Sequence, residues 1–352
     1  MQGNKKQILV IFGGCSPEYS VSLSSATSVI KNISREKYDI LLMGISTEGK
    51  TYLYEGNIEN IEQDKWLCSE TCTRAMISQD RGEGRLLVFR ENDVESLKVD
   101  LAFPVLHGQN GEDGTIQGLL ELVGIKIIGC GTLSSALCMD KVRSHKLVSL
   151  EGITVPKGIV IESVGELERA GLFAEQLGYP VIVKPVKAGS SYGVSKVKEK
   201  EKLGEAIEYA FKFDRRVMIE EFIEGFEVGC AVMGYGEPET GEVDEIEMGG
   251  DFFDFFEKYN LINSEIHVPA RISREKSNEI KETAKKIYLA LDCSGFARVD
   301  MFLRKDGEIV FNETNTIPGF TSHSRYPMMM KAVGLDFGSL VDLLIKRAIE
   351  ED

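Results

Sequence analysis

The chain has 352 residues, 43% hydrophobic and 28% charged, enough apolar material for two or three packed cores. Its net charge of -15 argues against nucleic acid or an anionic membrane as the main partner. No apolar run approaches the roughly 20 residues that span a bilayer. The opening MQGNKKQILVIFGG lacks a signal-peptide layout, and seven cysteines scattered through apolar segments fit a reducing cytoplasm.

Strands and helices alternate along most of the chain, the α/β pattern. Ile8–Phe12 reads as a buried strand running into Gly13 and Gly14, followed by a helix from about Ser20 to Lys31. Tyr38–Ile45 and Val99–Leu106 are further strands and Gly114–Leu122 a helix; the polar stretch from about Tyr52 to Asn92 is expected to be an irregular insertion. The pattern then restarts with helix Met139–Ser149, strand Gly158–Glu162, helix Val164–Leu177 and strand Pro180–Lys184. A third block begins near Glu220 and contains a long helix, Ser273–Leu291, a hairpin and a closing helix.

Three stretches carry chemistry. In KPVKAGSSYGV, a buried strand delivers Lys184, and a loop of small residues including Ser190 and Ser191 turns into the next strand. Glycine and serine let backbone N–H groups approach phosphate oxygens, while Lys184 adds charge. No Gly-Lys-Ser/Thr opens a helix here, so this is not a P-loop, and such a hairpin by itself could be a solvent turn. In IEEFIEGFE, alternation places Glu220 and Phe222 on one side of a strand. Exposed backbone at a strand end can read the adenine edge, and a carboxylate suits ribose hydroxyls; Glu221 could equally belong to an acidic hairpin edge. In FARVDMFLRKDGEIVFNETN, two strands flank a turn, so Asp300, Glu313 and Asn315 can converge as hard oxygen ligands suited to Mg²⁺, with Arg298 on the face of Asp300.

Together these segments resemble the ATP-grasp superfamily and, within it, the D-alanine–D-alanine ligase family. The specific marks are GGCSPEYSVS, LHGQNGEDGTIQG, CMDKVRSH, KPVKAGSSYGV, IEEFIEGFE, FFDFFEKY and NETNTIPGFTSHS, which span nearly the whole chain in the family's order. The resemblance implies a three-domain α/β ATP-grasp fold: residues 1–128 an N-terminal parallel α/β domain, 129–220 a central subdomain and 221–352 a C-terminal subdomain that clamps ATP with it. It implies ATP phosphates on Lys141, Lys184 and Ser191, and the adenosine at Glu220, Glu221, Ile223 and Glu227. Two Mg²⁺, or Mn²⁺ in their place, would sit on Asp300, Glu313 and Asn315. Glu18 would take the ammonium of the first D-alanine and His107 its carboxylate, although a lone histidine there would by default be a core residue. Glu18, Ser190 and Tyr259 match a hydrogen-bonded triad that closes the loop around Lys258. Arg298 and the Gly319 amide would stabilise the oxyanion, and Ser324 and Lys258 would hold the second substrate's carboxylate. A cytoplasmic homodimer is expected.

The second substrate is read from two positions. Depsipeptide-forming relatives carry a lid histidine, and Glu257-Lys258-Tyr259 has none, which implies an amine nucleophile. Arg325 stands where D-alanine–D-alanine ligases usually have an apolar residue. It resembles the vancomycin-resistance D-alanine–D-serine ligases of the VanC, VanE and VanG types, with FFDFFEKY pointing to the same subfamily. Arg325 would offer donors to a serine hydroxyl and be poorly satisfied beside a methyl group; otherwise it is a surface arginine paired to an acid.

Overall fold

The computed structural model describes residues 5–68, 70–248 and 264–351. Three sheets organise them. The first contains β1 (Lys6–Gly13), β2 (Tyr38–Ile45), β3 (Thr51–Tyr54), β4 (Cys72–Ile77), β5 (Arg85–Phe89), β6 (Val94–Lys98), β7 (Leu101–Val105) and β8 (Lys126–Ile127), in the order β6-β5-β4-β3-β2-β1-β7-β8. β2, β1, β7 and β8 run parallel. The apolar run Ile8–Phe12 is central and completely buried, as a parallel strand covered on both faces must be.

The remaining four strands of this sheet correct the expectation of an irregular insertion over 52–92. They pair antiparallel outward from β2. Their sequence looked polar because charged turns (Gln79–Gly84 and Arg90–Asp93) separate short strands, and β6 alternates polar with apolar residues. The N-terminal sheet is therefore mixed, not wholly parallel. Trp66, fully buried in the connection between β3 and β4, packs edge-on to Phe12 and Tyr54.

The second sheet is antiparallel: β9 (Gly158–Ile161), β10 (Val181–Pro185), β11 (Ser195–Val197) and β12 (Val217–Glu221), ordered β11-β10-β12-β9. The third comprises β13 (Gly225–Met233), β14 (Glu239–Met248), β15 (Ser264–His267), β16 (Phe296–Arg304) and β17 (Ile309–Asn315), antiparallel in the order β15-β14-β13-β16-β17.

Helices differ slightly from the sequence reading. The expected helix Met139–Ser149 starts at Lys141 because Asp140 is extended and accepts from Arg143 N as its N-cap. Val164–Glu166 forms a 3-10 turn before the helix Leu167–Leu177. Ser273 caps the helix Arg274–Ala290 in the same way as Asp140, by accepting from Lys276 N.

Cores tie distant segments together. Val10, Phe12 and Phe103 of the first sheet share a cluster with Phe296, Phe320, Tyr326 and Leu344. Cys138 and Val148, on helices that precede the second sheet, pack with Val228, Ile287 and Val299 of the third-sheet core. Among the described residues no helix is long and apolar enough to cross a membrane.

Candidate active site

The hairpin β16–β17 is the floor of the site. Register puts Arg298 opposite Asn315 and Asp300 opposite Glu313, so the period of two gathers all four on one face. Arg298 is buried and donates from Nε and Nη2 to the two oxygens of Asp300 at 2.8 and 2.6 Å. Asn315 Nδ2 donates to Asp300 Oδ2 at 2.8 Å. Burial alone would lower the Arg298 pKa, but the Asp300 charge holds it above the ordinary arginine value. Beyond this pair the register shifts, Met301 lying opposite Phe311, so Asn312 is the extra residue of a bulge on β17 next to the cluster.

Lys141, at the start of its helix, lies 3.4 Å from Glu313 Oε2 and donates to Ala188 O at 2.7 Å. Asp140 supports that placement: it is fully buried and takes Arg216 Nη2 at 2.6 Å and Arg143 Nη1 at 2.7 Å. Burial opposes its ionisation, yet those hydrogen bonds and charges keep its carboxyl below the usual aspartate range. Lys184 on β10 pairs with Glu220 on β12 at 2.5 Å, both buried. Lys141, Lys184 and Glu220 line a cleft between the second and third sheets, together with Ser191, Glu221, Ile223, Glu227 and Glu313. A small adjoining recess shares Lys141, Ala188 and Glu313 with it and reaches Glu112, Gly189 and Asn315. Lysines beside buried carboxylates in such a space suit a nucleotide triphosphate and its cation.

Glu18 is buried at the head of the helix Tyr19–Asn32 and accepts a hydrogen bond from Ser190 Oγ. Ser190 and Ser191 adopt left-handed backbone conformations that curl the loop toward it. Lys258 and Tyr259 lie outside the described residues, so two members of the expected triad are seen together. His107 is buried; Nδ1 donates to Ile317 O at 3.0 Å and Nε2 lies 3.2 Å from Ser25 Oγ. Glu112 Oε1 accepts from Ile317 N at 3.2 Å and Oε2 from Gly108 N at 2.9 Å. The turn bearing Gly319 is thus held from both sides of Ile317. Ser324 Oγ is next to Gly319 and accepts from Thr321 N at 3.0 Å.

Arg325 departs from its expected environment. Its guanidinium is buried, donating from Nε and Nη2 to Asp244 at 2.7 and 2.8 Å and from Nη1 to Glu227 at 2.6 Å. Asp300 Oδ1 lies a further 3.4 Å from Nη2. The residue is neither on the surface nor short of acceptors, which removes the premise that a neighbouring methyl would leave it unsatisfied. Burial opposes its charge, but Asp244, Asp300 and Glu227 keep its pKa well above the ordinary value. Glu221, expected at the adenosine, also accepts from Lys157 N at 2.9 Å and pairs with Arg304 at 3.3 Å.

Sequence reasoning missed Asp140, Glu112 and Asp244 as site residues. Asp244 left one signal: in VDEIEM it shares the strand face of Ile246, an acid where apolar residues belong.

A cleft between two antiparallel sheets, with lysines above a carboxylate hairpin, defines a mixed α/β ATP-grasp enzyme. The family model described as D-ala D-ala ligase N-terminus matches residues 7–130, and that of the D-ala D-ala ligase C-terminus matches 147–346. A D-alanine–D-alanine ligase of Caldicellulosiruptor bescii is 43% identical, over 99% of this chain and 96% of its own. The vancomycin B-type resistance protein VanB of Enterococcus faecalis is 45% identical, over 99% of both chains. The crystal structure of the VanG D-Ala:D-Ser ligase from Enterococcus faecalis is 53% identical, with a TM-score of 0.91 over 98% of this chain and all of that one. The chain belongs to the D-alanine–D-alanine ligase family of ATP-dependent ligases.

Proposed function

We propose that this enzyme joins D-alanine to D-serine at the expense of ATP, making a peptidoglycan precursor dipeptide of the kind linked to vancomycin resistance. The first D-alanine's carboxylate attacks the γ-phosphate, releasing ADP and forming D-alanyl phosphate. The amine of the second substrate then attacks the acyl carbon, and phosphate leaves. Glu18 receives the first ammonium, Lys141 and Lys184 neutralise phosphate charge, and Arg298 with the Gly319 amide faces the oxyanion. His107 holds the Gly319 turn through Ile317 O. Asp300, Glu313 and Asn315 supply oxygen donors fit for Mg²⁺, whose charge would offset that of the phosphates when bound.

The observation that carries the D-serine reading is Arg325, buried with Asp244 immediately after Ser324. A serine hydroxyl can both donate to and accept from such an ion pair, whereas a methyl group only displaces water from it. The paired state of Arg325 also leaves a D-alanine–D-alanine ligase as a second reading, because no donor would be stranded beside a methyl. The test is the ratio of dipeptides formed from equimolar D-alanine and D-serine. Mainly D-alanyl-D-serine supports the proposal; mainly D-alanyl-D-alanine replaces it with the second reading.

A further inference from the structure

We propose that Glu227 is a positioning residue for Arg325 and links the nucleotide sugar to the choice of second substrate. This rests on the reading of Arg325 as the wall of the second subsite. Glu227 stands on β13, where it lines the cleft proposed for the nucleotide beside Ile223 and Phe302. The same carboxylate accepts from Arg325 Nη1 at 2.6 Å. One side chain therefore belongs to both the cavity and the ion pair behind Ser324.

The remaining anchors of Arg325 show why Glu227 matters. Asp244 clamps Nε and Nη2 along one edge of the guanidinium, and Glu227 takes the other terminal nitrogen. The two-oxygen clamp of Asp244 fixes the guanidinium plane, with Asp300 Oδ1 a further 3.4 Å from Nη2, and Glu227 anchors Nη1, so its loss leaves that nitrogen to turn to another acceptor. Gly229, on the same face of β13 as Glu227, makes room for this arrangement. A Cβ there would fall 2.4 Å from Arg325 Nη2 and 2.6 Å from Asp244 Oδ1. A sugar hydroxyl donating to the Glu227 carboxylate from the cavity would hold it in place while Oε1 accepts from Arg325 Nη1. Sugar occupancy and the orientation of Arg325 then reinforce each other.

Glu227→Gln keeps shape and removes the charge. Expected are higher KM values for ATP and for the second amino acid, an unchanged KM for the first D-alanine, and a shift of at least threefold in the dipeptide ratio toward D-alanyl-D-alanine. In an Arg325→Met background the same change should move the ratio no further. On the unmodified enzyme, 2′-deoxy- or 3′-deoxy-ATP should move it in the same direction, which keeps the test open should the variant not fold. The proposal is overturned if Glu227→Gln raises only the KM for ATP, if it shifts the ratio equally in the Arg325→Met background, or if neither deoxynucleotide moves the ratio by more than twofold. Every shift is measured against the wild-type ratio. Failure of the D-serine reading shows in that ratio itself, and failure of the coupling shows in the absence of change.

Discussion

Glu313 and His145 show how differently two residues behind one cavity behave. Glu313 faces Lys141 and stands across from Asp300, and the proposed reaction puts its carboxylate at the centre of the charge that phosphoryl transfer must balance. Glu313→Gln should lower turnover by several orders of magnitude, since metal and charge stabilisation supply several kcal/mol of the barrier reduction; steady-state phosphate release measures it. More than about a tenth of wild-type activity would displace Glu313 from that role. His145 is buried, donates from Nε2 to Asn312 O at 2.8 Å and packs edge-on to Phe311. Burial, and then the Lys184 charge, lower its pKa below 6.5. Below that value the unfolded chain binds a proton that the folded one refuses, so His145 contributes stability above it that fades as pH falls. The contribution to the slope is at most about 1.4 kcal/mol per pH unit. Urea unfolding of the ligand-free protein across that range should show the slope, and His145→Gln should flatten it.

At the scale of elements, hairpin β16–β17 was legible because alternation and a tight turn dictate which side chains share a face, and the acids interrupting VDMF and VFNE had to be explained. The strands from Thr51 to Lys98 were not legible. β3 to β5 bury apolar residues such as Leu53, Ala75, Leu86 and Val88, but they are short and separated by charged turns, and pairing outward from β2 is what orders them. Trp66 anchors this extension, and its Nε1 donates to Tyr19 Oη at 2.8 Å. Trp66→Ala should therefore cost about 3–5 kcal/mol, with Trp66→Phe much milder. Denaturant midpoints followed by circular dichroism would check this, and a loss below 1 kcal/mol would mean the extension adds little to the core.

At the scale of the molecule, the cleft proposed for the nucleotide lies between sheets whose cores are separate, so a ligand bridging Lys184 and Glu313 would join them. ATP or ADP with Mg²⁺ at about 100 times its Kd should stabilise the native state by about 2.7 kcal/mol, read as a rise in Tm. Glu313→Gln should reduce the rise with Mg²⁺ more than without it. An identical rise with and without Mg²⁺ in the wild type would place the cation elsewhere.

Local patterning was enough to show an α/β chain, its buried first strand, the Gly-Ser loop and the oxygen-donor hairpin, because strand alternation and glycine-rich turns are properties of a few consecutive residues. Sequence alone could not decide the surroundings of Arg325, whose partners lie 81 and 98 positions away. Nor could it show that His107 spans 210 positions to hold the turn before Gly319. A buried charge is tolerated only where others meet it, and which charges meet is settled by how β13, β14 and β16 align, a register that exists only once the third sheet has formed.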